Sequence, residues 1–209
     1  MTEPTGNDLE GCEGMPIRGA TLLFSDELIR GCEKFATLAE DAKDDHSVLL
    51  FNTSCILFAA GAIEARVNEW ISIGTIIEDA EVPTAFWVEM QKSQKSLSIV
   101  QKWNLIAAIC GGKCWDGGIE PFQSFGTIAT LRNELVHFKG QLFGKDEAPN
   151  LRIADLMKQL GIRSDATFVE DDVSSWVADL LNHRKLGVWV QSKARLFYDD
   201  VLTLLLNRP

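Results

Sequence analysis

The segment Thr130-Leu-Arg132-Asn133-Glu-Leu-Val-His137-Phe-Lys139-Gly140 places an Arg-Asn pair, a histidine and a lysine within eight residues. The chain holds three histidines, and His137 alone has an Arg and an Asn at helical reach behind it. Asn133 and His137 are four apart, so in a helix both side chains leave the same face. Arg132 lies about 100° round the helix from Asn133, and its long side chain can curl back towards that face. Gly140 is a C′ stop signal that would put His137 and Lys139 in the last turn, where the helix dipole favours positive charge. A fixed guanidinium beside an imidazole suits a phosphodiester: one holds anionic oxygens, the other moves protons.

A second set of polar residues sits on a different stretch. Glu64 is the one acid in an otherwise small and apolar run, and Asn68 shares its face one turn on. A buried carboxylate needs a partner, so Glu64 and Asn68 can line a cleft and orient Arg132. The plainer alternative has Glu64 pairing with Arg66 or facing solvent. Arg132 itself is either a phosphate clamp or half of a structural ion pair, which look identical in sequence. Asn133 is an orienting hydrogen-bond partner rather than a reactant, because its amide does not titrate near neutrality. Lys139 is either a solvated cation at a helix end or a phosphate contact.

The elements that must position these groups read as helices. The first is expected over Ser25 to about Ala42, with Ser25 as N-cap and Asp26 and Glu27 at its positive end. A long one runs from about His46 to Ile77, where Ile56, Ala60, Ile63, Val67, Trp70 and Ile77 recur three and four apart. Pro83 opens a shorter helix, and Leu97 to Ile109 forms another, ended by Gly111 and Gly112. Pro121 starts the motif helix, with Phe122, Phe125, Ile128, Ala129 and Val136 as its buried side. After a Gly/Pro/Asn loop near 144 to 150 come a short helix over Ile153 to Leu160 and a strand-like Ala166 to Val169. Helices over Val173 to Leu181 and about Lys185 to Leu206 complete the chain. No alternating run is long enough for a sheet, so the fold class is an all-α, up-and-down bundle with long central helices. Trp70, Trp87, Trp103 and Trp176 are assigned to the core or a dimer contact. His46 and His183 are assigned to a surface helix start and a turn.

Composition bounds the function. A chain of 209 residues, 46% apolar and 24% charged, can bury one sizeable core, and no linker or repeat divides it. Residues 1–20 read as a loose tail and 21–209 as a single domain. The N-terminus lacks the basic start and apolar run of a signal peptide. The apolar run from Cys55 to Ile63 is far short of a membrane span. A cytoplasmic protein with no membrane partner is the expectation. Five scattered cysteines fit free thiols; Cys110 and Cys114 are the one close pair, and neither they nor the histidines follow a metal-ligand spacing. No metal and no cofactor are expected. The net charge of −10 gives poor long-range attraction for RNA, although Arg132, Lys139 and symmetry mates would make a locally positive cleft.

Arg132-Asn133-x-x-x-His137 resembles the Arg-polar-x(3–5)-His motif of the HEPN superfamily of small all-helical proteins. Ala60 to Trp70, with Glu64 four before Asn68, resembles that family's long helix. Lys102-Trp103 resembles its Lys-Trp pair between the two helices, and Pro121-Phe122 through Thr130 the lead into the motif helix. Together the four stretches span about residues 45 to 140 in family order. The resemblance implies a helical bundle that forms a symmetric dimer. In active members it implies metal-independent RNA cleavage by Arg and His from both subunits, of the toxin or defence and RNA-processing type. Other members are non-catalytic modules that bind a nucleotide or a partner protein. Members paired with nucleotidyltransferase antitoxins often carry a Tyr two residues after the His, where this chain has Lys139. Two classes therefore stand open, a nuclease and a binding module, beside a purely structural helix-end network at a dimer interface.

Overall fold

A computed structural model describes residues 23–74, 84–137, 149–162 and 175–206. The expected tail, Ile77, Pro83, Lys139, Gly140 and the strand-like 166–169 lie outside the described residues. Within them are eight helices and no strand: α1 (Ser25–Asp41), α2 (Asp45–Gly74), α3 (Thr84–Ser93), α4 (Ile99–Cys110), α5 (Phe122–Val136), α6 (Leu151–Leu160), α7 (Trp176–Leu181) and α8 (Lys185–Leu206). The protein is an all-α helical bundle.

Helix α2 is its axis. It packs against α1 and α8 most extensively, and also against α3, α4, α5 and α7. Such multi-sided contact explains why its burial is not confined to one seam. Ile56, Ala60, Ile63 and Val67 are buried as their spacing predicts, and so are Val48, Cys55, Ala59, Ala62 and Ile71. The small residues at 59–62 let neighbouring helices approach closely. Among the described residues, α2 is the one helix long and apolar enough to cross a membrane by length and composition, which the Cys55–Ile63 run alone understates. Here it forms the bundle's centre, and some of its polar groups are bonded inside the chain. Asn52, fully buried, donates from Nδ2 to the Leu181 and His183 carbonyls (2.7 and 3.1 Å), which tethers the end of α7.

A second focus of packing is aromatic. Trp103, Trp115, Phe122, Phe125 and Phe197 interlock with ring centroids 4.9–6.2 Å apart, mostly edge-on or tilted. They join α4, α5 and α8 through the 111–121 loop. Gly111, with φ 71°, ends α4 in the left-handed conformation as the Gly-Gly pair predicts. Gly112 lies so close to α8 that a Cβ would collide with the Leu205 carbonyl oxygen. The loop is then held by Lys113 N donating to Leu204 O and Trp103 Nε1 donating to Lys113 O, both 2.8 Å.

Several helix ends differ from expectation. Helix α6 starts at Leu151 rather than Ile153 and α7 at Trp176 rather than Val173, behind the side-chain caps Asn150 and Ser175. Three more differ for other reasons. Ser25 is not the N-cap of α1. That position belongs to Phe24, and the Ser25 hydroxyl, fully buried, instead donates to Glu69 Oε2 and contacts Tyr198 Oη. A long-range polar cluster has outcompeted the local cap. Helix α4 begins at Ile99, two residues after Leu97, because Ser98 and Gln101 form a reciprocal capping box. Helix α5 stops at Val136, ahead of Gly140, and Val136 is 53% exposed rather than buried. The last turn of α5 has run past the core.

Candidate functional site

Helix α5 is anchored at its start and free at its end. Pro121 supplies the N-cap, and Phe122, Phe125, Ile128 and Leu131 seat the helix on α2 and α8. The Ser124 hydroxyl donates to Glu120 Oε1 at 2.6 Å and so ties the first turn to the preceding loop. Beyond Leu131 the polar residues of the motif emerge.

Arg132 is half-buried, while Asn133 and His137 are exposed. The guanidinium curls towards the Asn133 face, with Nη1 donating to Asn133 Oδ1 at 3.0 Å. Among the described residues Arg132 makes no ion pair, so its charge is not neutralised within the chain. His137 is the C-cap of α5, and its backbone N–H donates to Asn133 O at 2.9 Å. The imidazole therefore stands on the helix end with its ring exposed. The three groups form an open edge where Arg132 can hold an anion and His137 offers a proton-transfer group, with the exposed Glu134 carboxylate in the same turn. Lys139, the fourth member of the sequence motif, lies outside the described residues.

The α2 residues do not join this edge. Glu64 is exposed and bonds to neither Arg132 nor Asn133 among the described residues, so the expected carboxylate brace is missing within one chain. It does not pair with Arg66 either, whose guanidinium lies over the Tyr198 ring at 4.8 Å. Glu64 faces solvent. Asn68 is engaged elsewhere. Its Oδ1 accepts from Lys102 Nζ at 2.9 Å, and its backbone carbonyl accepts from Gln94 Nε2 at 3.3 Å. Lys102 is only 3% exposed, an ammonium buried beside a neutral amide. The Lys-Trp pair thus divides its labour, with Lys102 bonded to α2 and Trp103 in the aromatic core.

Two further clusters joined by the fold have no shared spacing in sequence. At the α1–α2–α8 junction, Glu69 accepts from Ser25 N and Oγ, and Tyr198 Oη donates to Asp26 Oδ1. Burial, then the Asp26 carboxylate, pushes the Tyr198 hydroxyl above its ordinary value of 10.0. Cys32 and Cys55 face each other with sulfurs 3.5 Å apart, and the Cys55 contact together with burial pushes the Cys32 thiol far up, leaving it inert. No group of three or more His, Cys, Asp or Glu among the described residues is placed to hold a metal ion. Comparison with family models, with curated proteins and with solved structures finds no match for this chain.

Proposed function

We propose that this protein is a HEPN-like, metal-independent endoribonuclease of the toxin or defence and RNA-processing type. It acts in the cytoplasm as a homodimer with a composite Arg132/His137 cleft. One observation carries the reading: Arg132 lacks an acidic partner among the described residues and is held by Asn133 on the same exposed helix end as His137. A guanidinium kept for structure would be expected to find a carboxylate. Val136, a large apolar side chain uncovered beside His137, supports contact with a second copy at this end.

In the mechanism, one His137 takes the proton of the substrate's 2′-hydroxyl, and the 2′-oxygen attacks the adjacent phosphorus. The 5′-oxygen leaves with a proton from the partner copy's imidazole, and a 2′,3′-cyclic phosphate remains. The two Arg132 side chains offset the charge that builds on the phosphate oxygens. The test is cleavage of a mixed RNA pool with chelator present, scored for the cyclic phosphate end. No cleavage by wild type, or equal cleavage by wild type and His137→Ala, overturns the nuclease reading.

The net charge of −10 favours a second reading, a non-catalytic module whose Arg132 and His137 hold a nucleotide or a segment of a partner protein. Nucleotide binding lost in Arg132→Ala, without RNA cleavage by wild type, is its signature.

A further inference from the structure

Helix α2 is more apolar than its burial warrants. No charged side chain stands between His46 and Glu64, yet only 39% of the helix's most apolar stretch is buried. The excess lies on one face. Leu50, Ser54, Leu57, Gly61 and Ala65 recur three and four apart and so share a side of the helix. Leu50 is 52% exposed and Leu57 39%, so no described element covers this side. Phe35, Phe51 and Phe58, all partly exposed, border it, with the Phe35 ring centroid 6.2 and 5.2 Å from the other two. The one charge on this side of α2 is the exposed Glu64 carboxylate. An apolar strip of this length on a chain of net charge −10 calls for a cover.

The packing of α1 shows which part of the chain lies nearest. Leu28 Cδ1 is 3.6 Å from where a Gly61 Cβ would stand, and the Phe58 ring fills the space beside Gly31. The two helices are therefore antiparallel, with the start of α1 at the Ala65 end of the strip. Ser25 N, donating to Glu69 Oε1 at 2.8 Å, fixes that end. The chain before Leu23 lies outside the described residues, and it joins α1 at this same end. Its composition changes after Gly14. Glu3, Asp8, Glu10 and Glu13 make the first part acidic, whereas residues 15–22 (MPIRGATL) are mostly apolar with Arg18 as their only charge. Eight residues reach up to about 26 Å. The strip from Leu50 to Ala65 is roughly 22 Å long.

We propose that residues 15–22 dock on this face of α2 as an intramolecular cover, with their apolar side chains against Leu50 and Leu57 and with Arg18 facing Glu64. A second copy of the chain fits the face less well. It brings another net charge of −10 and, on the same face, a second Glu64. The segment brings the opposite charge, and its tether at the end of the strip holds it at a local concentration on the order of millimolar. The contact is independent of Arg132 and His137.

The test places the photo-crosslinking residue p-benzoylphenylalanine at position 57 of the full chain and maps the irradiated product by peptide mass spectrometry. The expected product joins position 57 to a residue within 15–22 of the same chain. A product that joins two chains gives the face to a second copy and overturns the proposal, as does the lack of any product with residues 15–22. Proteolysis supplies an independent readout. Trypsin cuts after Arg18, and docking should slow that cut. Leu57→Asp, which sets a charge on the strip, should speed it roughly tenfold, and Glu64→Ala about threefold, with circular dichroism unchanged. Glu64 faces solvent, so its variant keeps the test open if Leu57→Asp fails to fold. Equal cutting in wild type and in the folded variants overturns the proposal. Neither readout depends on RNA cleavage.

Discussion

Replacing Gly187 with Ala sets two helix effects of opposite sign against each other. Gly187 is in the first turn of α8, where that helix crosses α1 and α2. Helix propensity alone favours Ala by at most about 1 kcal/mol. The structure opposes it. An added Cβ would stand 2.8 Å from Asn52 Oδ1, 3.1 Å from Ala36 Cα and 3.5 Å from Ala39 Cβ. Ala36 Cα is backbone inside α1 and cannot swing away. Asn52 is buried and held by two hydrogen bonds to the end of α7, so displacing it weakens bonds that no water can replace. Overpacking costs about 1–3 kcal/mol, and loosened buried hydrogen bonds about 1–3 kcal/mol more. With the propensity gain subtracted, Gly187→Ala should destabilise the fold by about 1–5 kcal/mol. Gly126→Ala provides the control. Its added Cβ meets only the Arg152 Nη1 tip at short range, which can move into solvent, so this variant should be about 0.5–1 kcal/mol more stable than wild type. Urea unfolding followed by tryptophan fluorescence gives both values from the midpoints at constant slope. A Gly187→Ala protein as stable as wild type would refute the reasoning, because it would show that the three-helix crossing has slack.

Asn68→Ala strips a buried ammonium of its side-chain partner and should cost about 2–3 kcal/mol, whereas Lys102→Met, similar in shape and uncharged, should cost less than about 1 kcal/mol or stabilise; urea midpoints decide both. If the chain cleaves RNA, His137→Ala should lose roughly 10²–10⁴ in rate, and Arg132→Ala a comparable factor, with circular dichroism unchanged because neither supplies core volume. Burial, then Lys185, holds the His183 imidazole below its ordinary value of 6.5, so the unfolded chain takes up that proton more readily. Stability should therefore be fully present above that value and decline as pH falls through it, and His183→Asn should flatten the decline in urea midpoint. Tyr198 has the opposite sign: its raised value means stability is kept below about 10 and lost as pH climbs further, a loss that Tyr198→Phe should reduce.

Helix positions were legible wherever local rules decide them. The three-and-four spacing placed α2, Pro121 placed the start of α5, and Gly111 placed the end of α4. Local rules failed where distant residues intervene. Ser25 has a good capping side chain, but Glu69 and Tyr198, 44 and 173 residues away, take its hydroxyl. Gly140 is a good stop signal, yet α5 ends at Val136. Within the motif, the i,i+4 geometry of Asn133 and His137 and the curl of Arg132 followed from helix geometry alone. The Lys102 partner of Asn68 and the exposure of Glu64 did not, because both depend on how α2, α4 and α5 dock.

The central position of α2 also sets an order of events during synthesis. Its cover is completed by α8, which clamps onto α1 through Tyr198, bonded to Ser25 and Asp26, and through Arg195 Nη1, 3.2 Å from Glu33 Oε1. Between Gly74 and Lys185 lie 110 residues. At the usual pace of translation that is roughly 5–20 s in which a long apolar helix has α1 for shelter and lacks its second wall. To factors that scan nascent chains, such a segment looks like a membrane span waiting to be inserted. Its buried Asn52 and its Arg66 and Glu69 are polar marks against that fate, and a chaperone that shields α2 until α8 arrives would raise the yield of folded protein.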